Sequence, residues 1–427
     1  MDFDLPAPSL DVEDILRKQS ISETEPGPLL RDVEAMLDAI EAHDGIRVSA
    51  KRQQLYNERL PDLNERLSHP TDADYDRPTQ KAYPYVHGLY LLMRAAGLAH
   101  VVQGASHPQL VLRGEMVRTW QALNPTEQYM ALVEAWLLRA NEEELMGGGR
   151  QMFTPLFRMA SFASKLGDGE KTYSDKGDRD GLDHFPGYPH LALMHLFGWI
   201  ELDEDGTAPN QPWAVNRVRL LPFGTAMLVS LVELMNAAME REAPEDRDGF
   251  RALLAPTEAI SFTKEELHAA LVPSFPDWER HLTVPDTSFT SGVHTLRVQV
   301  AESPNDGGSF EARIAVPGDA ALDDIAHTLL QAAEFDPDHL YEFEFDDAYG
   351  RDQTASYPLD ALDPPYTDEL RVGDLPLEEG ASLTFQFDFG AEWYFDIKVE
   401  SIAPPEDGPS EAQILDVTAP PEQHPDS

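Results

Sequence analysis

Cysteine is absent from the sequence, and basic residues are scarce. The chain has 427 residues, with 32 lysines and arginines against 77 aspartates and glutamates, and only eight of the bases are lysine. Without cysteine, the protein can form no disulfide and can use no thiol in catalysis. The excess of acids leaves a formal net charge of −45.

Long hydrophobic runs are also missing. The longest apolar stretch, GLYLLMRAAGLAHVV at residues 88–102, contains Arg94 and is too short to span a bilayer. The N-terminal sequence MDFDLPAPSLDVEDILRK lacks the basic and apolar regions of a signal peptide. We therefore expect a soluble, cytoplasmic protein with no membrane partner.

The acidic composition is compatible with a folded chain. Hydrophobic residues make up 42% of the sequence, enough to bury real cores, so the charge does not indicate a disordered chain. An acidic, lysine-poor surface is typical of a salt-rich cytoplasm, because the Debye length falls to about 3 Å at molar ionic strength and charge repulsion is screened. We interpret the protein as halophilic, and an acidic protein from ordinary cytoplasm is the alternative.

The chain is long enough for two to four domains. Two stretches repeat the order helix, glycine, strand, loop, strand, glycine, helix, with LVLRG and VRLLPFG in equivalent places. This order is typical of winged-helix domains in series. The patterns predict a flexible acidic arm (1–26), two winged-helix-like domains (27–145 and 146–249), a connector (250–290), an α+β module (291–403) and a disordered acidic tail (404–427).

The period of the hydrophobic pattern changes to two from Thr295 onward, as expected for strands. TLRVQV, FEARIAV and HLYEFEF are predicted strands, and ALDDIAHTLLQAA is a predicted helix with Asp319 as its N-cap. The order predicts a β-grasp-like ββαββ module. The overall fold class is therefore α+β and multidomain.

Asp388-Phe389-Gly390 is the tripeptide that binds magnesium in protein kinases. The kinase interpretation fails, because the sequence has no glycine-rich phosphate loop, no lysine paired in the kinase manner and no His-Arg-Asp catalytic loop. The alternation instead places Leu383, Phe385, Phe387 and Phe389 on one face of a strand. It restarts at Trp393, which predicts a β-hairpin with Gly390 at its turn.

The same region resembles a known family. FPDW at 275–278, His-Leu-Tyr-x-Phe at 339–343 and Phe-Asp-Phe-Gly-x-x-Trp at 387–393 are similar to the plasmid pRiA4b ORF-3-like family, over residues 275–402. The resemblance implies an α+β sheet wrapped on one helix and an association with plasmids or insertion elements. It does not imply any enzymatic activity. The Trp-Arg that usually follows the first strand is replaced by SFEAR, so any role of that tryptophan does not transfer.

Four residues near the hairpin are candidates for a binding site: His339, Tyr341, Asp388 and Trp393. In one interpretation, Trp393 belongs to the core and Asp388 stabilises the turn by accepting hydrogen bonds from backbone N–H groups. In the other, the same four residues line a groove for a peptide or ligand.

A second candidate region is relatively rich in bases. Residues 46–81 carry seven bases and six acids and lie where a winged helix places its DNA-contacting helix. The DNA-contact candidates are Arg47, Lys51, Arg52, Arg59 and Arg66, and solvated surface charge is the alternative. Molar salt weakens phosphate contacts through counterion release, so DNA binding would need base or shape contacts.

No motif predicts a catalytic residue, a metal site or a cofactor. His184, His190 and His195 are spaced by six and five residues, which does not place them on one helix face. Walker, Rossmann and Gly-x-Ser-x-Gly motifs are absent. We predict a non-enzymatic adaptor that binds an unknown protein partner through the C-terminal module. The alternative is a winged-helix DNA-binding transcriptional regulator.

Stability is expected to rise steeply from low to molar KCl. Residues 295–427 hold five bases and 31 acids, a net charge of −26, and the Debye length of about 10 Å at 0.1 M salt leaves neighbouring carboxylates in repulsion. The C-terminal module should gain the most. Thermal melts across a KCl series measure the effect, and a melting temperature that stays constant would contradict it.

Overall fold

The protein is described here from a computed structural model. Its chain divides into two compact units, Met1–Thr283 and Val284–Ser427. The described residues are Phe3, Leu5, 11–49, 52–72, 78–103, 107–140, 154–173, 176–204, 213–242, 262–282, 289–302, 310–346, 352–358, 365–418, Pro420, Pro421 and Gln423. Residues 1, 2, 4 and 6–10 of the predicted arm, part of the connector and the candidate Lys51 lie outside them.

The first half of the first unit combines helices with a three-stranded antiparallel sheet. The sheet order is β1-β3-β2, so β3 is central. The buried face of α2 includes Leu29, Val33, Met36 and Ile40. The elements are α1 (Val12–Lys18), α2 (Leu29–Ala42), β1 (Ile46–Arg47), α3 (Leu60–Arg66), α4 (Pro84–Ala95), β2 (Ala99–Gln103), β3 (Pro108–Leu112), α5 (Gly114–Gln121) and α6 (Pro125–Leu138).

The second half repeats the same succession of elements. Its antiparallel sheet has the order β4-β6-β5. The elements are α7 (Pro155–Ala163), β4 (Glu170–Thr172), α8 (Lys176–His184), α9 (Tyr188–Leu196), β5 (Ile200–Glu204), β6 (Val215–Leu220) and α10 (Pro222–Glu242).

Helices α4 and α9 pack against each other in the middle of the first unit. All twelve residues of α4 are buried. Gly88 permits the close approach, because a Cβ there would lie 3.1 Å from both the Leu193 side chain and the Pro189 carbonyl. Both helices end at a glycine with positive φ, Gly97 at 72° and Gly198 at 70°, where a residue with a Cβ is strained.

A polar network crosses the contact between α4 and α9. The Tyr85 hydroxyl lies 2.6 Å from Glu204 Oε1, to which it donates, and 2.7 Å from His195 Nδ1. Burial lowers the pKa of His195 to about 3, and the neighbouring His69 contributes. The imidazole is therefore neutral at physiological pH, and no uncompensated charge is buried at this contact.

Residues 262–282, which fall in the predicted connector, pack on α6. The helix α11 (Lys264–Leu271) is present as predicted. Arg280 donates to Glu127 through its backbone N at 2.9 Å, Nε at 3.1 Å and a terminal nitrogen at 2.8 Å. Glu127 is 1% exposed and also caps α6 through Asn124. About two turns further along α6, His281 Nδ1 lies 2.8 Å from Glu134 Oε1. Two buried glutamates of α6 therefore hold this segment.

The second unit is a seven-stranded sheet with one helix packed on it. The sheet order is β10-β9-β11-β12-β7-β8-β13, and every neighbouring pair is antiparallel. The predicted ββαββ order therefore contained too few strands. The elements are β7 (Val293–Glu302), β8 (Glu311–Pro317), α12 (Leu322–Ala333), β9 (Tyr341–Asp346), β10 (Asp352–Ser356), β11 (Ser382–Phe387), β12 (Trp393–Ala403) and β13 (Gln413–Val417).

The core of the second unit lies between α12 and one face of the sheet. The predicted helix stripe of Leu322, Ile325 and Leu329 is fully buried there. The predicted N-cap was wrong: Ala321 occupies that position, and the Asp324 side chain accepts a hydrogen bond from its backbone N at 2.9 Å. A carboxylate near the helix N-terminus is favourable in either arrangement.

The predicted disordered tail requires a correction. Gln413–Val417 forms β13, which pairs with β8 in the register Ile414↔Ile314 and Val417↔Ala312. Further along, Gln423 accepts from the backbone N of Asp336 at 2.7 Å. The proline-rich, acidic composition of residues 404–427 suggested disorder, but pairing with a strand about a hundred residues earlier orders this segment.

Within the described part of the chain, no helix has the length and apolar character that a membrane span requires.

Glu127 is expected to make the first unit sensitive to acid. Burial alone would raise the pKa of Glu127, but hydrogen bonds from Arg280 and Asn124 outweigh it and lower the pKa below the ordinary 4.5. A lowered folded-state pKa contributes stability above pH 4.5 that is lost as the pH falls through the folded value. Glu127→Gln should therefore melt at lower temperature than wild type at pH 7, with the difference shrinking toward pH 3. Thermal melts at fixed KCl measure this.

Glu65→Gln, on the exposed face of α3, is the matched control and should follow wild type at every pH. A difference between Glu127→Gln and wild type that stays the same from pH 7 to pH 3 would show that the carboxylate charge is not the cause.

Candidate functional site

The four candidate binding residues meet at one end of the C-terminal sheet. Strand β11 pairs with β12 in the register Phe387↔Trp393 and with β9 in the register Phe387↔Tyr341. The backbone N of Asp388 donates to the Leu340 carbonyl at 3.0 Å, which holds the turn beside His339. The hairpin predicted from the alternation is present, and sheet pairing brings the four residues together.

Asp388 caps the hairpin turn. Its Oδ1 accepts hydrogen bonds from the backbone N of Gly390 and of Ala391, both at 3.1 Å, and its carbonyl accepts from Glu392 N at 2.7 Å. Asp388 and Glu392 adopt positive φ, 54° and 57°, whereas Gly390 does not. The turn therefore depends on an aspartate that tolerates left-handed backbone and bonds its own loop, rather than on Gly390.

Trp393 lies in the core. It is 1% exposed, stacks with Phe395 at 6.1 Å and meets Phe335 edge-on at 4.8 Å between ring centroids. Its indole Nε1 is buried with no hydrogen-bond partner among the described atoms. The ring fills space between the sheet and the end of α12, as the first interpretation of the sequence proposed.

Tyr341 is also buried, at 4% exposure. Its hydroxyl donates to Asp323 Oδ1, which also accepts from Thr367 Oγ1 at 3.2 Å. Burial, together with the hydrogen bond to Asp323, raises the pKa of Tyr341 far above its ordinary value. The phenol therefore stays protonated and joins β9 to the first turn of α12, so it is not available to a ligand at the surface.

His339 is the most accessible of the four residues, with its side chain 37% exposed. Its Nε2 lies 3.2 Å from Asp338 Oδ1 and 3.6 Å from Asp388 Oδ2. The ring also meets Phe387 edge-on at 5.9 Å. The imidazole is therefore held between two carboxylates at the edge of the hairpin turn, where a partner could reach it.

Phe389 is a surface residue that the sequence pattern assigned wrongly. The alternation placed it with Leu383, Phe385 and Phe387 on the core face. In the structure β11 ends at Phe387, and the positive φ of Asp388 redirects the chain. Phe389 is consequently 37% exposed, whereas Phe385 and Phe387 are fully buried. An Asp-x-Gly that follows a strand was the available signal that alternation stops there.

The DNA-contact candidates do not share a helix. Arg47 lies on β1, Arg52 in the following turn, and Arg59 immediately before the seven-residue α3. Arg66 ends α3 and forms an ion pair with Asp62, Nε to Oδ2 at 3.3 Å. Pro61 sits at the start of α3 and is compatible with it. The base-rich segment is therefore mostly loop, and the expected placement of these residues on one DNA-contacting helix was wrong.

The three histidines considered for a metal site have different surroundings. His190 Nδ1 lies 3.1 Å from Trp136 Nε1, and His195 contacts Tyr85. His184 ends α8. Over the described ranges, no group of three or more histidine, aspartate or glutamate side chains is arranged to hold a metal ion.

Removal of the Trp393 ring should destabilise the second unit far more than removal of the Asp388 cap. Trp393→Ala is expected to cost roughly 3 to 5 kcal/mol, because it empties a core position. Asp388→Ala should cost about 1 kcal/mol through lost side-chain-to-backbone hydrogen bonds. Melts of the full-length variants in molar KCl measure both. If Trp393→Ala melted like wild type, the position assigned to this ring would be wrong.

Comparisons with known proteins concern the C-terminal region. Residues 295–424 match the family model described as plasmid pRiA4b ORF-3-like protein. A solved structure, that of a protein of unknown function from Methanosarcina mazei Go1, is 18% identical, covers 31% of this chain and 72% of its own, and has a TM-score of 0.27. No curated protein matches the chain. The family match confirms the resemblance, beginning at residue 295 rather than 275, so residues 295–424 are similar to the plasmid pRiA4b ORF-3-like family.

Proposed function

We propose that the protein is a non-enzymatic adaptor whose C-terminal unit holds a partner protein at the tip of the β11–β12 hairpin. The contact surface is the tip itself, residues 388–392, together with His339. Tyr341 and Trp393 support this surface from the core and do not touch the partner. The proposed adaptor acts in a salt-rich cytoplasm. A link to mobile elements is suggested only by the similarity to the family.

The exposure of Phe389 is the observation that carries the proposal. Every other aromatic residue of β11 and β12 is buried or half-buried, yet this ring stands 37% exposed on a turn fixed by four hydrogen bonds to Asp388. An aromatic side chain presented on a rigid turn loses little conformational entropy when it binds. Aromatic residues of this kind dominate the energy of protein interfaces.

The side chains around Phe389 are polar, as at the rim of a protein interface. Asp388 and Glu392 lie on the same turn as the ring, and His339 lies between the carboxylates of Asp388 and Asp338. A ring surrounded by acids matches an apolar pocket whose edge carries basic groups. Screening by salt weakens the charged contacts, so burial of the ring has to supply most of the affinity.

The two halves of the first unit are proposed to be winged-helix-like domains. In each half the order is helix, strand, helix, helix, strand, strand, with the last strand at the centre of the sheet. This order supports the assignment for α2 to β3 and for α7 to β6. The third helices are then α4 and α9.

The same arrangement counts against a conventional DNA-binding regulator. A winged helix reads the major groove with its third helix, but α4 is buried along its whole length and α9 is largely buried. Separating the two helices would expose Tyr85, Leu89 and their neighbours to water. The first unit is therefore proposed to serve as a rigid scaffold, and the DNA-binding regulator becomes the weaker alternative.

Phe389→Ala should abolish partner capture without affecting the fold. Loss of an aromatic anchor at an interface costs about 2 kcal/mol or more, which is roughly a 30-fold loss of affinity. The full-length protein is used to capture partners from a lysate at native salt, and a captured protein is then purified and its affinity measured directly.

Phe289→Ala is the matched control, because Phe289 is also 37% exposed in the same unit but lies under the Arg371 guanidinium at 4.4 Å. It should retain the partner. Equal affinity of wild type and Phe389→Ala for that partner would refute the proposed surface.

A further inference from the structure

Hydrogen bonds hold the described residues of the loop between β1 and α3, which are 48, 49 and 52–59. Ser49 and Gln54 pair across it, with N to O at 2.8 Å, and Val48 bridges Leu55. The side chain of Gln80 accepts from the backbone N of Leu55 at 2.7 Å, and the Tyr90 hydroxyl donates to the Gln53 carbonyl. The backbone on either side of Arg52 and Tyr56 is therefore fixed among the described residues.

Three arginines in or next to this loop have no acidic partner. No carboxylate in the described ranges forms an ion pair with Arg47, Arg52 or Arg59, whereas Arg66 of α3 pairs with Asp62. Arg59 instead approaches His43, with 3.4 Å between a guanidinium nitrogen and Nε2. Acids outnumber bases by more than two to one in this chain, whereas Glu58 is the one acid in residues 47–59, so this segment carries a net positive charge that suits an anionic ligand.

An exposed aromatic ring lies within this positively charged segment. Tyr56 is 37% exposed, and the Arg47 guanidinium lies 4.3 Å from the centre of its ring. The backbone N of Tyr56 donates to the Arg47 carbonyl at 3.3 Å, which fixes the two residues opposite each other. An arginine stacked on a partly open tyrosine combines a phosphate-binding group with a surface on which a base can stack.

We propose that Arg47, Arg52, Arg59 and Tyr56 form a binding site for single-stranded nucleic acid. The arginines bind about three consecutive phosphates, and Tyr56 stacks on one base. A duplex fits less well, because the helix that would enter a groove is buried and stacked bases are not available to Tyr56. This site is separate from the hairpin tip and does not depend on its function.

The salt dependence of binding is the first test. A labelled single-stranded oligonucleotide of about 12 nucleotides is titrated with the full-length protein, followed by fluorescence anisotropy, at KCl concentrations where circular dichroism shows the fold intact. Three phosphate contacts predict a slope of about −2 for the logarithm of affinity against the logarithm of salt concentration. Arg52→Ala, a change in the turn between β1 and α3, should reduce the slope by about 0.7.

The aromatic contact is tested separately. Tyr56→Ala should weaken binding by about 5- to 100-fold, and Tyr56→Phe should restore it. Arg66→Ala is the matched control and should bind like wild type, because that arginine is already paired. A duplex of the same sequence should bind at least about 10-fold more weakly.

Several outcomes would overturn the proposal. Undetectable binding, or equal binding of duplex and single strand, would reject a single-strand site. An unchanged affinity of Tyr56→Ala would reject stacking. Competition by inorganic phosphate or a phosphopeptide at the oligonucleotide's own concentration would assign the arginines to isolated phosphate groups instead.

Discussion

The first unit depends on a helix that has no exposed face. Each residue from Pro84 to Ala95 is buried, which is the pattern of a helix at the centre of a fold. Such a helix needs partners on all sides, and α9 supplies one of them through the close contact at Gly88. Polar groups that α4 carries inward take part in hydrogen bonds, as the hydroxyl of Tyr85 does with Glu204 and His195. This arrangement makes the two similar halves one compact unit.

In the second unit, aromatic packing keeps the strands of an acidic sheet paired. Its core face is a continuous aromatic surface in which Phe385, Phe387, Trp393 and Phe395 contact one another across β11 and β12. The opposite face carries charge, and there sheet register sets Lys398 beside Arg297 and Arg297 beside Arg313. Glu311 and Glu400 pair with two of these bases at 2.8 Å. Apolar burial therefore drives the pairing, while the few bases offset repulsion among the carboxylates.

Local patterns in the sequence predicted the strands and the helix of this unit well, and long-range relations poorly. Alternation located β11 and β12, because a side-chain period of two is a direct consequence of strand geometry. It failed at Phe389, because the strand ended at Phe387 and Asp388 took the left-handed conformation expected of Gly390. β13 was missed since composition cannot reveal a pairing with β8. The sequence predicted the region in which the four candidate residues lie. It did not show which of them are buried, such as Trp393, and which lie at the surface.

The scarcity of bases makes the position of each one informative. Arg280 holds the last segment of the first unit on α6, and Arg371 forms two contacts of 2.8 Å with Asp374. With 77 acids available, an arginine on the surface should find a carboxylate unless the surrounding sequence keeps carboxylates away. The loop that carries Arg47, Arg52 and Arg59 contains one acid, Glu58, which forms no ion pair with them among the described residues, and the loop holds an exposed tyrosine in place. Solubility in concentrated salt explains acidic residues on the surface, but it does not explain arginines that form no ion pair. A negatively charged ligand would explain these three arginines better.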